Sequence, residues 1–303
     1  MTVGPYGILP PPGLTGKPGA AIRAAMPSFS FAHPFAMPGF ALPGFAMHAY
    51  APPLAAFGAA LALGLAGRAA GARWPVQASG AVGALAGWMA LLPWSAALRA
   101  VLTPRATSDF LLLPAAAAVL ATVISPRLRS RAERWLFPAL AVLIGWWLAR
   151  SAPARPEFWR VWLAVIVAAW LLARVVGTPG AGGRALAAAL ALWGGLLLAG
   201  APPVWTVAAL AAAGAAGAAW LGGGALPPVL LAAVAAAADL GAGRLAQGRV
   251  NAADLACLLA PSAAWLVPRM AARLGRAGPV LAVPAAAALA AGAAWAGGRL
   301  MHR

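Results

Sequence analysis

The chain has 303 residues, 63% hydrophobic and only 9% charged. A soluble domain of this length needs far more polar side chains to cover its surface, so that class is excluded and a membrane protein is indicated. The net charge of +17, from 22 Lys and Arg against 5 Asp and Glu, would suit a nucleic-acid binder. Beyond residue 60, however, the arginines sit in short gaps between apolar runs, where they meet anionic headgroups. Membrane lipids are therefore the expected partners, with headgroup contacts through the loop arginines, and no nucleic acid.

Residues 1–49 read as a low-complexity Pro/Gly/Phe segment, disordered or outside the native chain. They hold five of the nine Phe, four of the seven Met and the only Lys, and none of the 14 Trp. The stretch "FAMPGFALPGFAM" (35–47) repeats Phe-Ala-(Met/Leu)-Pro-Gly, and its prolines argue against helix. Composition changes abruptly near residue 50. The segment is thus expected either to be a tail with its phenylalanines at the membrane interface or to be untranslated, with Met47 as the start. Intact-mass measurement of the native protein separates the two.

From residue 50 to 303 the sequence predicts a transmembrane helical domain. About ten apolar runs follow one another: 50–67, 75–98, 107–125, 135–149, 158–176, 185–200, 203–221, 225–243, 250–268 and 279–298. A bilayer core of about 30 Å needs about 20 helical residues. The runs do not alternate, which excludes spanning strands. The predicted class is all-α, a polytopic transmembrane bundle of about 8–10 spans, multi-pass in a bacterial plasma (inner) membrane.

Runs seven, eight and ten are mostly Ala and Gly, which insert only marginally by themselves, so they are expected to be inner helices. Gly83 with Gly87, and Gly58 with Ala62, form small-xxx-small pairs suited to close helix contact. Trp74, Trp94, Trp135, Trp159, Trp205, Trp220 and Trp265 lie at run ends, as in an aromatic belt. The loop 126–134 carries Arg127, Arg129, Arg131 and Arg134 and is expected in the cytoplasm; with ten spans both chain ends then lie outside.

Three carboxylates after residue 100 lie in or beside apolar runs: Asp109, Asp239 and Asp254. An ionisable group inside a membrane is a functional candidate by default. Asp109, in "TPRATSDF", fits the first turn of a helix at headgroup level, where the helix dipole favours a carboxylate. Asp239 and Asp254 flank the loop in "ADLGAGRLAQGRVNAADLA" and fall about one turn before and after it. In an antiparallel hairpin they share a depth, with Arg244 and Arg249 as ion-pair partners and Gln247 as a neutral polar group. Asn251 with Asp254 resembles a capping box. The bland reading is a capped interfacial loop; the functional one is a shallow site for an anion, a headgroup or a proton.

Catalytic patterns fail. Asp239 and Arg244 have the spacing of the CDP-alcohol phosphotransferase motif, but Leu240 and Gly243 replace its Gly and Ala, and its downstream Asp pair is missing. His33, His48 and His302 lie at the chain ends, so no metal site or cofactor is expected. The single Cys257 reads as a packing residue. Ten spans in about 300 residues agree in size with the drug/metabolite transporters, built from two five-helix halves, yet the two sets of five runs show no similarity to each other. The expected activity is a small-molecule or lipid-linked transporter. The alternatives are an assembly partner without an active site, and a membrane-embedded enzyme.

Overall fold

The computed structural model describes residues 43–91, 111–124, 181–242, 252–275 and 278–301, with isolated residues between 139 and 167, all helical; every one belongs to the unit Pro43–Arg303. Among the described residues there are eight helices and no strands: α1 Pro43–Ala69, α2 Arg73–Met89, α3 Leu112–Ile124, α4 Ala181–Leu198, α5 Pro203–Leu221, α6 Pro228–Ala242, α7 Ala252–Arg273 and α8 Gly278–Met301. Four helices are long and apolar enough to cross a membrane: α1 from Tyr50, α5, α7 from Leu255, and α8 from Val280. The protein is an α-helical transmembrane bundle. Runs four and five fall mostly outside the described residues, and residues 1–42 and the loop 126–134 wholly so.

α1 opens at Pro43 and so takes the last five residues of the Phe repeat into helix, seven residues earlier than the composition change suggests. A proline at the first helical position has no amide to lose and a φ already set for helix. Pro52 and Pro53 also lie inside α1, as a membrane helix tolerates.

Three helices stop in the same way. Gly71, Gly200 and Gly223 have φ of 64°, 66° and 77°. The amides that follow turn back onto the helix: Ala72 to the Gly67 carbonyl at 2.8 Å, Ala201 to Leu196 at 3.0 Å and Gly224 to Ala219 at 2.6 Å. A left-handed glycine closes each helix at little steric cost and satisfies its last carbonyls.

Close glycine contacts fix helix directions. A Cβ placed on Gly214 would lie 2.8 Å from the Pro53 carbonyl oxygen, and one on Gly64 would lie 3.3 Å from Gly222 Cα, so α1 and α5 run parallel. Gly87 abuts Ala56 and Ala211, while Gly83 abuts Ala60 and Ala215, so α2 runs against both. Gly182 abuts Trp220 and Gly217 approaches Leu186, so α4 runs against α5; Gly183 abuts Val283 and Gly194 abuts Ala291, making α4 and α8 parallel, and Gly298 against Ala252 makes α7 and α8 antiparallel. The α1–α2 hairpin thus packs on α5, the α7–α8 hairpin packs on α4, and α4 and α5 join the two groups.

α6 touches α3, α4, α5 and α7 and is the central helix. Every residue from Val229 to Ala238 is buried. A helix apolar all round belongs in a protein interior or in lipid, and this stretch of α6 lies in the interior. The segment leading into it, 224–227, is not helical; Leu226 and Pro227 are buried, Leu226 being 1% exposed beside Gly80, while Gly224 and Ala225 are half-buried.

Two expectations change. Runs seven and eight are inner helices, but run ten is peripheral: α8 exposes Val280, Leu281, Leu289 and Leu300. Its few leucines lie on the outward face, and its alanines, Ala286, Ala290 and Ala294, face inward. Trp205 is buried rather than in the belt, because α5 is enclosed by α1, α2 and α4. Trp74 is about half exposed at the start of α2, as belt residues are, while Trp265, equally exposed, lies within α7 because that helix continues to Arg273.

Candidate functional site

The sequence-based constellation lies where α6 gives way to α7. The backbone of Asp239 is in the last turn of α6, and that of Asp254 is in the first turn of α7. These two helices touch. Their side chains, and the residues Arg244, Gln247, Arg249, Asn251 and Asp109, lie outside the described residues. What the backbone adds is the setting of Asp239. It directly follows ten consecutive buried residues of the central helix, a feature that hydropathy does not reveal because Ala-rich inner and outer helices look alike in sequence.

Four hydroxyl side chains among the described residues are satisfied locally. Ser79 donates to the Val76 carbonyl at 2.8 Å, Thr122 to Val119 at 2.7 Å, Thr206 to Pro203 at 2.8 Å and Ser262 to Leu259 at 2.6 Å. Each bond closes within its own helix, so a hydroxyl can be buried without calling on a neighbour. Trp88 differs: its indole Nε1–H donates 3.1 Å to the Ala208 carbonyl across the α2–α5 contact, inside the core. Cys257 is partly buried and packs against the core. Among the described residues no group of three or more His, Cys, Asp or Glu could hold a metal ion.

Basic residues gather at one end of the bundle. Arg68 at the end of α1, Arg73 at the start of α2, Arg184 in the first turn of α4, and Arg269 and Arg273 at the end of α7 share that end by the helix directions above. Of the described arginines only Arg299, in the last turn of α8, lies at the other. Two of them cover a tryptophan one turn earlier: Arg269 lies 3.3 Å over Trp265, and Arg299 lies 4.3 Å over Trp295. Each pair keeps the cation at headgroup level on an aromatic face.

Two concavities open on α1. A cavity of about 330 Å³ at the basic end is lined by Arg68, Arg73, Gln77 and the backbone of Gly223. The Arg68 guanidinium lies so close over Gly223 that a side chain there would collide with it. A groove of about 490 Å³ runs between α1 and α4, with Tyr50, Leu54 and Phe57 on one wall, Leu186 and Leu190 on the other, and Gly214 and Gly217 in its floor. Sequence reading missed both, since each joins residues from helices distant in the chain; the paired Arg68 and Arg73 around Gly71 were the one visible signal.

No family model matches the chain, and no curated protein or solved structure matches it either, so the reading of this site rests on the bundle's own geometry.

Proposed function

We propose that this membrane protein is a permease for a small or lipid-linked solute in a bacterial plasma membrane, with α6 as its working helix. The carrying observation is that ten wholly buried residues of the central helix lead directly into Asp239. An ionisable residue carried by a helix inside the membrane is a functional candidate by default, since such residues serve proton and ion pathways. That makes Asp239 suited to proton or cation coupling.

The test is purified protein in proteoliposomes on a sensor for charge movement, challenged with pooled metabolites under an imposed pH gradient. A solute-dependent current that Asp239→Asn reduces at least tenfold is the expected result. A current equal in the wild type and in Asp239→Asn removes Asp239 from the mechanism. A stoichiometric membrane partner retained by both proteins, with no current from either, favours the assembly-partner alternative.

A further inference from the structure

Arg68 of the arginine cavity and Phe57 of the apolar groove lie on one flank of the α1–α5 seam, and the cavity's other polar side chains, Arg73 and Gln77, come from α2. Along α1, Pro53 faces Gly214 of α5 and, eleven residues on, Gly64 faces Gly222. Eleven residues are close to three turns of helix, so Phe57 and Arg68, each four residues further along, share a flank of that seam. Phe57 forms the groove wall and Arg68 lines the cavity. Their separation along α1 is about 16 Å, and on α5 the groove floor at Gly217 is about 9 Å from the cavity at Gly223. With a bilayer core of about 30 Å, a phosphate at headgroup level beside Arg68 puts Gly217 near the middle of that leaflet and Phe57 near the bilayer midplane, both within reach of one acyl chain.

We propose that the two concavities together hold one anionic phospholipid from the leaflet at the basic end. The occupant follows from the chemistry at each end. Two guanidinium groups and a carboxamide surround the cavity, and guanidinium forks match phosphate oxygens. The groove is apolar throughout except for the Tyr50 hydroxyl, and its walls are large aliphatic and aromatic side chains around a small-residue floor. Exposed Trp74, next to Arg73, puts the cavity at the depth where headgroups begin. The site is independent of Asp239, and its failure would leave the permease reading standing.

Native mass spectrometry of the full chain in mild detergent provides the test, with phosphatidylglycerol or phosphatidylcholine of 16–18-carbon chains (typical bilayer lengths, about 20 Å extended) added in equal amounts. The expected result is one phosphatidylglycerol retained at least tenfold better than phosphatidylcholine. Arg68→Ala with Arg73→Ala should abolish that preference, and the paired Lys substitutions should keep most of it. Gly217→Leu fills the groove, and its Cβ meets only van der Waals contact with Leu186 at 3.7 Å, so the fold should persist. It should lower retention of the long-chain lipid at least tenfold and leave short-chain phosphatidylglycerol unchanged. Equal retention of the two headgroups overturns the proposal, and so does full binding by the double alanine variant. Indifference to Gly217→Leu in a folded protein overturns the two-ended site. Displacement of the lipid by equimolar inorganic phosphate would reassign the cavity to a free anion.

Discussion

One methyl group added at Gly83 would come within 2.6 Å of both the Ala56 carbonyl oxygen and the Ala60 Cβ, and 3.1 Å from the Ala215 Cβ. Three helices would have to move apart. Gly83→Ala is therefore expected to lower unfolding stability in detergent by about 1–3 kcal/mol, as overpacked cores do. Gly58 has open space around it, so Gly58→Ala should leave stability unchanged or raise it by up to about 1 kcal/mol, by removing a flexible residue from a helix interior. A thermal melt of both variants side by side checks the contrast, and equal losses would contradict it. The two glycines have the same small-xxx-small pattern in sequence. What separates them is the presence of a partner backbone, which a one-dimensional pattern does not contain. Trp88→Phe offers a second residue-level check. It removes the indole donor to Ala208 while keeping most of the apolar bulk, and is expected to cost about 0.5–1.5 kcal/mol. An unchanged melting temperature would mean that the bond does not contribute.

At the scale of elements, burial and not hydropathy distinguishes the helices. The spanning window of α5 is 56% buried and that of α1 is 28%, although their hydropathies are close. Large residues should therefore be tolerated in opposite places. Ala237→Leu, in wholly covered α6, should destabilise by about 1–3 kcal/mol, while Leu289→Ala, 57% exposed on α8, should change stability by less than about 0.5 kcal/mol. Chemical unfolding of the two variants decides; a larger loss at Leu289 would place α8 inside an assembly. Helix existence was legible because eight of the ten apolar runs coincide with described helices, and a run of apolar residues has to be spanned or covered wherever it lies. Which helices lie inside was only partly legible. α5 and α6 were recognised from their small residues, but α8 shares that composition and sits at the rim. In the candidate site, the closeness of Asp239 and Asp254 to the ends of α6 and α7 could be read from the breaks around Gly241–Asn251. The completely covered run before Asp239 could not, since it depends on four other helices.

For the whole molecule, the helix directions put the start of α1 and the end of α8 at one end of the bundle, opposite the α1–α2 turn. Five described arginines stand at the turn end and one at the other. Positive charge is retained on the cytoplasmic side, so the turn around Gly71 is expected there and the turn around Gly200 outside. With Cys257 replaced by Ala, a cysteine at Gly200 should react with a membrane-impermeant thiol reagent in intact cells, and one at Gly71 should react only after lysis. The reverse result inverts the topology.

The complete covering of α6 also bears on how the protein is made. Its 15 residues are few and largely Ala, so released alone from the ribosome it gains little by lying in lipid. α3, α4 and α5 precede it in the chain, but α7 is synthesised afterwards. While α7 is still within the ribosome, α6 has one open flank and a carboxylate at its tail. The chain therefore passes through a stage in which its most central element is its least secured, and a pause in translation just after α6 would expose it to membrane proteases and insertion chaperones.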